Sequence, residues 1–309
     1  MSRLADNFWE TLPLGRGVTL ITRDPNGLAA LSKPAGILSH PNEPRDQPRS
    51  LLNARYNADG EYYEWPAEPL ARKLQVTSDK WQETHPAPPP AAPVPLATPT
   101  TTATSAPPAS SLVTCDLPLE TSAPAARLWL LNRLDSATSG VILVAASESL
   151  AREIRAMFQR RHIHKTYAAL VFGAPSEDRQ RWTDRLAIEK RRGQIRANAS
   201  AGHIPAEAHM TLLRSNRRAV RSLSLIQLEP KTGRSHQLRV QCARRHLPIV
   251  GDATYGDFRA NRDFAKRTGE KRLFLHSLET RFDYEHAGRV FTFAARAGLP
   301  EAFEEALRP

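Results

Sequence analysis

Three stretches of the 309-residue chain combine reactive side chains with neighbours that read as buried. The first is N-R-L-D-S-A-T-S-G, residues 132–140, set between two apolar runs. An aspartate there leaves the end of a core strand and enters a loop, where a rigid scaffold commonly presents functional groups. Asp135 has three roles open to it: nucleophile, general base, or acceptor in an Asx turn, the last being the default for a loop aspartate. The second stretch is K-T-G-R-S-H-Q-L-R-V-Q, residues 231–241. Its cations and its glycine turn at a helix start suit a phosphate or carboxylate cradle, or an ordinary basic helix cap. The third is K-T-Y at 165–167, where a tyrosine opens a strand; such a tyrosine is more often core than functional. The histidines do not compose a metal site. His162 and His164 lack an E-x-x-H pattern, and His236 and His276 would have to meet in space without an identifiable carboxylate nearby. G-x-S-x-G is absent, which argues against a serine hydrolase, and neither G-x-G-x-x-G nor a Walker pattern points to a nucleotide cofactor.

The elements that must hold these residues are legible in part. Val18–Asp24 and Leu28–Lys33 flank D-P-N-G, a turn sequence that predicts a hairpin, closed by the rigid K-P-A-G at 33–36. Leu128–Leu131 and Gly140–Ala146 read as buried strands around the loop Asn132–Ser139. Ser147 is placed to cap a helix whose apolar positions Leu150, Ile154, Met157 and Phe158 share one face, with Arg152, Arg155, Arg160 and Arg161 pointing elsewhere. Strands are expected at Thr166–Phe172, Glu207–Leu213, Val220–Glu229, Leu273–Phe282 and Arg289–Ala294. A short helix is expected near Ser235, and another opened by Pro300. The pattern is mixed α/β with mostly antiparallel, consecutive strands.

Composition sets the frame. At 40% hydrophobic and 24% charged the chain can bury a core, which excludes wholesale disorder. Two cysteines, Cys115 and Cys242, are too few for a disulfide framework and suit a reducing cytosol. The N-terminal decapeptide has acids where a secretory signal would be apolar, and the run Gly140–Ala146 is far too short to span a bilayer. The formal charge of +11 is uneven: residues 151–250 hold 21 Lys+Arg against 7 Asp+Glu, while the remainder holds 22 against 25. An Arg-rich concentration of that kind attracts a polyanion, so RNA or DNA is the partner that charge suggests. Between Glu83 and Asp116 no charged side chain occurs, and residues 86–110 contain nine Pro, seven Ala and five Thr. Proline donates no hydrogen bond and fixes φ, so 84–115 reads as a flexible, PPII-biased insert.

At these same segments the chain resembles the RluA family of RNA pseudouridine synthases. The resemblance is carried, in order, by L-S-K-P-A-G-I-L-S-H (31–40), N-R-L-D-S-A-T-S-G-V-I-L-V (132–144), H-K-T-Y-A-A-L-V-F-G (164–173), T-G-R-S-H-Q-L-R-V (232–240), L-P-I-V-G-D-A-T-Y-G (247–256) and L-F-L-H-S-L (273–278). It implies the pseudouridine synthase fold, an α+β architecture with a long mixed, mainly antiparallel sheet flanked by helices and loops and an RNA cleft across its middle. It divides the chain into an N-terminal extension, 1–17, and a catalytic domain, 18–309, interrupted by the insert. The implied reaction isomerises uridine in ribosomal or transfer RNA: the N1–C1′ bond breaks, uracil turns, and a C5–C1′ bond forms. The family's aspartate falls on Asp135, the basic residue that pairs with it and holds it ionised on Arg239, and the tyrosine that packs on the target base on Tyr167. Arg133 matches the arginine that fills the space of a flipped-out nucleotide, flipping being needed because a stacked base hides its glycosidic bond. Thr138, Arg234, Lys33 and Leu275 are implied for loop shape, phosphate contact, folding and an apolar floor. No metal, nucleotide or organic cofactor is implied, and the protein is expected to work as a cytoplasmic monomer.

The chain departs from the family pattern where Asn132 and Gln241 replace the usual histidines, and in the Pro/Ala/Thr insert. With fewer than twenty residues before the first strand, no separate S4-like RNA-binding domain is expected. Two other function classes stand beside the isomerase: a catalytically silent RNA-binding or ribosome-assembly protein, and a glycoside-bond hydrolase, which would need a second carboxylate near Asp135.

Overall fold

Runs of alternating or continuous apolar residues build one large sheet, seen in a computed structural model that describes residues 8–66, 125–191, 194–198, 202–216 and 221–308. The Pro-rich segment 84–115 lies outside the described residues, as do residues 1–7 of the expected N-terminal extension. Among the described residues the sheet holds thirteen strands. Its main path runs β3 (Arg55–Asn57), β4 (Tyr62–Pro66), β5 (Ala125–Leu130), β6 (Ser139–Ala145), β12 (Leu275–His286), β7 (His164–Phe172), β11 (Leu223–Pro230), β10 (Ile204–Asn216), β8 (Arg179–Arg191) and β9 (Gln194–Asn198). The hairpin β1 (Thr19–Arg23) and β2 (Leu28–Lys33) adds to β6, and β13 (Arg289–Arg296) adds to β12. The expected fold class holds: the sheet is mixed and mainly antiparallel, the β6–β12 contact being parallel.

That parallel contact lies in the middle of the strand order. β6 reads S-G-V-I-L-V-A and is buried along its whole length. Val141, Leu143 and Ala145 face one apolar cluster, shared with Leu150 and Ile154 of α1 (Glu148–Arg160) and with β13. Ile142 and Val144 face the other side, toward Leu51, Leu52, Tyr63 and the N-terminal Trp9 and Leu12. A strand covered on both faces has no solvent side to mark with polar residues, hence the unbroken run. The β6–β12 approach demands a glycine. Gly140 has φ +111°, and a Cβ there would fall 2.1 Å from the Ser277 carbonyl oxygen.

Local signals act as the sequence suggests. Asp24 accepts from the backbone N–H groups of Asn26 and Leu28 to close the β1–β2 turn. The Ser147 side chain caps α1 by accepting from the Leu150 N–H. Arg155, off the apolar face of α1 as expected, donates to the carbonyls of Leu130 and Glu61, which pins the helix to the β4–β5 edge. A third cluster packs β7, β11, β10 and β8 against α2 (Gln237–Arg244), α3 (Phe258–Thr268) and α4 (Glu301–Ala306). Among the described residues no helix is long and apolar enough to cross a membrane.

Candidate active site

The loop between β5 and β6 is held on both sides of Asp135 by the segment that follows β2. Ser39 donates its hydroxyl to the Leu134 carbonyl at 2.9 Å and accepts from the Leu134 N–H at 3.0 Å. On the other side the Ser136 carbonyl accepts from the Lys33 ammonium at 3.0 Å and from the Gly36 N–H at 2.8 Å. Lys33 also donates to the carbonyls of Pro34 and Ile37, so a fully buried cation organises three backbone oxygens. Burial pushes its pKa down to about 7, against the raising effect of Asp135. Thr138 is buried, and its N–H donates to the Asp135 carbonyl at 3.0 Å, tightening the turn. Asp135 is thereby presented by a loop with few backbone freedoms left, which keeps the entropy of positioning it low.

The carboxylate meets its partner from α2, 104 residues away. Arg239 donates from Nη1 to Asp135 Oδ2 at 3.1 Å, and from Nε and Nη2 to the two oxygens of Asp252 at 2.8 Å each. One guanidinium thus bridges two carboxylates of unlike exposure: the Asp135 side chain is 32% exposed and that of Asp252 1%. Asp252 is completed by the backbone N–H groups of Thr254 and Tyr255, which donate to Oδ1. Burial disfavours the Asp252 anion, yet the hydrogen bonds and charge of Arg239 outweigh it and hold the pKa below the ordinary value. Burial likewise works against the Arg239 cation, and the two carboxylates overcome it and raise its pKa. Asp252 reaches this place because Gly251 turns the chain at φ +76°, where a Cβ would lie 1.8 Å from the Arg272 carbonyl oxygen.

His236, a left-handed residue at φ 55°, precedes α2 and brings Nε2 to 3.7 Å from Asp135 Oδ2, while its Nδ1 lies 2.9 Å from the Tyr255 hydroxyl. Burial lowers its pKa. The Arg239 guanidinium also lies over the Tyr255 ring, 5.2 Å from its centre. Both side-chain contacts to Asp135 fall on Oδ2; among the described residues Oδ1 takes no hydrogen bond. Tyr167 stands opposite Ser277 and Leu228 across the β12–β7–β11 ladder, on the same face as both. Burial pushes its pKa up to about 12; a hydrogen bond to Ser277 opposes this and the charge of Asp135 adds to it. The tyrosine is therefore a neutral phenol near pH 7. Leu275 is buried in the cluster against which Tyr167 packs.

The structure thus gathers Asp135, Arg239, Tyr167, Lys33, Thr138 and Leu275 around one place. Arg133 is exposed beside Asp135, with Nη1 3.4 Å from His40 Nε2. Arg234 sits at the α2 entrance, its Nε donating to the Pro205 carbonyl at 3.4 Å and its N–H to Gln237. The two unusual residues have structural partners. Asn132 accepts from the Leu143 N–H at 2.8 Å, and Gln241 donates to Asp184 at 2.9 Å. Asp184 also pairs with Arg244 and Arg245, which braces α2 from behind. Sequence reasoning did not single out Asp252, Tyr255 or Ser39. The signal for the first two was D-A-T-Y, an Asx-turn pattern in which an aspartate accepts from the N–H groups two and three residues on. A second carboxylate near Asp135 therefore exists, but Asp252 is enclosed and fully engaged, so it has no position from which to activate a water.

Known proteins give this arrangement its context. Residues 111–244 match the family model described as RNA pseudouridylate synthase. The tRNA pseudouridine synthase C of Yersinia pestis is 35% identical over 184 residues, which cover 56% of this chain and 70% of that protein. That of Salmonella typhimurium is 33% identical over 190 residues, 58% of this chain and 71% of the relative. Among solved structures, human RNA Pseudouridylate Synthase Domain Containing 4 superposes with a TM-score of 0.53 at 20% identity, covering 93% of this chain and 91% of that one, a likeness of fold.

Proposed function

The chain belongs to the RNA pseudouridylate synthase family, and from that premise we propose that it isomerises uridine in transfer RNA with Asp135 as the catalytic residue. It is an RNA pseudouridine synthase, an isomerase that needs no net oxidation, reduction or hydrolysis. The N1–C1′ bond breaks, uracil turns, C5 bonds to C1′ and releases its proton, and N1 ends bearing one. Transfer RNA is favoured over ribosomal RNA because the relatives at 33–35% identity bear the name tRNA pseudouridine synthase C.

The observation that carries the assignment is the shared guanidinium. Arg239 is locked to Asp252 on one side and offers its remaining N–H to Asp135 on the other. Asp135 is oriented through Oδ2 while Oδ1 stays available to the ribose, either to attack C1′ or to assist deprotonation toward a glycal. Tyr167, a neutral phenol over the Leu275 cluster, suits packing against uracil better than removing a proton from it. Arg133, exposed next to Asp135, would occupy the space of the extruded nucleotide. Arg234 would contact phosphate, Thr138 would shape the loop, and Lys33 would hold the loop through Ser136. We further propose that the protein acts as a cytoplasmic monomer, with residues 18–309 as the catalytic domain and 84–115 as an insert that takes no part in turnover.

Comparing pseudouridine maps of transfer and ribosomal RNA from cells with and without the protein tests this reading. A transfer-RNA position that loses pseudouridine, and regains it with the wild type but not with Asp135→Asn, is the expected result. Loss confined to ribosomal RNA would overturn the substrate, and restoration by Asp135→Asn would overturn the catalytic residue.

A further inference from the structure

Next to the loop that carries Asp135, three rings that the reaction does not use are packed in a row. Tyr63 is fully buried and donates its hydroxyl to the Ser39 carbonyl at 2.8 Å. Tyr56 packs on it, tilted, with ring centres 4.9 Å apart. His40 stacks on Tyr56 almost parallel, at 4.8 Å and 9°. The outermost ring is also fixed at its edges. His40 Nδ1 lies 3.1 Å from the Pro41 carbonyl oxygen, so this nitrogen carries the proton. Nε2 is then the acceptor facing the Arg133 guanidinium at 3.4 Å. Tyr56 covers one face of the half-buried His40 ring and both its nitrogens are engaged, which leaves the second face as the flat π surface on which a further ring could stack. The pile is joined to the reactive loop: Ser39, next to His40, makes both hydrogen bonds to Leu134, next to Asp135.

We propose that His40, backed by Tyr56, is a stacking platform for an RNA base flanking the target uridine; this rests on the reading of the site as one that acts on RNA. The chemistry fits that ligand. Extruding one nucleotide breaks its neighbours' stacks, and an unstacked base regains its contact on an aromatic or guanidinium plane. A ring already locked in place loses little entropy when a base settles on it. Base–aromatic stacking tolerates any base, because each has a π face, so the platform would hold the flanking nucleotide without reading its identity.

The test uses full-length protein, with His40→Leu removing the aromatic face and His40→Phe keeping it. The first probe is the transfer-RNA pool from cells lacking the protein, bound to each variant in the Asp135→Asn background so that turnover does not interfere. His40→Leu should weaken binding about tenfold, and His40→Phe should recover most of the loss, as for the removal and return of one stacked base. In the Asp135 background, single-turnover measurements should show a raised half-saturating RNA concentration and a maximal rate within about threefold of wild type. The second probe is a stem-loop of the modified transfer RNA with an abasic site at each nucleotide flanking the uridine in turn. One abasic position should weaken wild-type binding and add nothing to the His40→Leu loss. Wild-type binding by His40→Leu, or a lowered maximal rate with unchanged half-saturation, would overturn the platform; so would abasic losses that add fully to that of the variant. If the wild type formed no pseudouridine, the proposed function would fail, while the binding arm with the transfer-RNA pool would still decide the platform.

Discussion

Replacing Asp252 with Asn should unfold the protein far more readily than replacing Asp135 with Asn, although both carboxylates bind the same guanidinium. Asp252 is buried, accepts both Nε and Nη2 of Arg239 at 2.8 Å, and accepts two backbone N–H groups. In Asp252→Asn the amide nitrogen presents donors to a donor, and an arginine only 8% exposed loses its principal counter-charge. Breaking one side of a buried pair costs about 3–5 kcal/mol. For a domain of this size that corresponds to a fall in melting temperature of roughly 6–20 °C. Asp135 is one-third exposed, makes one hydrogen bond to Arg239, and leaves the bidentate Asp252 pair intact when neutralised. Solvent screens such a contact, so Asp135→Asn should cost under about 1 kcal/mol. The pH sign agrees. The folded-state pKa of Asp252 is lowered, so its contribution is full above the ordinary carboxylate pKa and is lost as pH falls through the folded value. Urea melts from pH 7 down to 3 should show a shallower acid loss in Asp252→Asn than in wild type. Equal destabilisation by the two substitutions would refute the division of one structural and one presented carboxylate.

Three further outcomes follow from the same framework. Lys33 has a folded pKa near 7 against 10.5 for the free group, so the unfolded chain binds more protons between those values and stability rises with pH across that window. Urea melts should give a slope of up to about 1.4 kcal/mol per pH unit there, abolished in Lys33→Met. Gly140→Ala should prevent soluble expression or lower the melting temperature by more than about 10 °C, because its Cβ meets the Ser277 backbone at 2.1 Å and φ is +111°. Replacing residues 86–110 with a short Gly/Ser link should leave single-turnover rates within about threefold, since loop length changes closure free energy only by roughly 0.6 kcal/mol per doubling; loss of RNA binding in that deletion would make the insert a recognition element.

What the sequence disclosed follows from how local each signal is. The β1–β2 hairpin is written in D-P-N-G, α1 in its Ser147 cap and apolar face, and β6 in a seven-residue apolar run. Elements whose burial depends on distant partners were missed. β8 alternates Arg181, Thr183 and Arg185 with Trp182, Asp184 and Leu186, and a charged residue on its inner face hides the period until Gln241, Arg244 and Arg245 are seen to receive it. α3 buries only Ala260 and Phe264, too little to announce a core helix, although Asp257 and Gly269 cap it correctly. The strands β3 and β4 are short and tyrosine-rich in a polar stretch, and they carry the Tyr56 and Tyr63 rings. The pairing of Asp135 with Arg239 spans 104 residues, so no spacing rule reaches it; family resemblance supplied it, and the folded chain places Asp252 behind it.

The central claim, that the Asp135 carboxylate performs the isomerisation of uridine in RNA, is tested most directly by single-turnover tritium release from C5-labelled uridine, using RNA from cells that lack the protein. Wild type should release tritium, whereas Asp135→Asn should fold and bind that RNA but release it at least about 10³-fold more slowly, as for loss of a nucleophile or essential base. Release by Asp135→Asn at the wild-type rate would contradict the account.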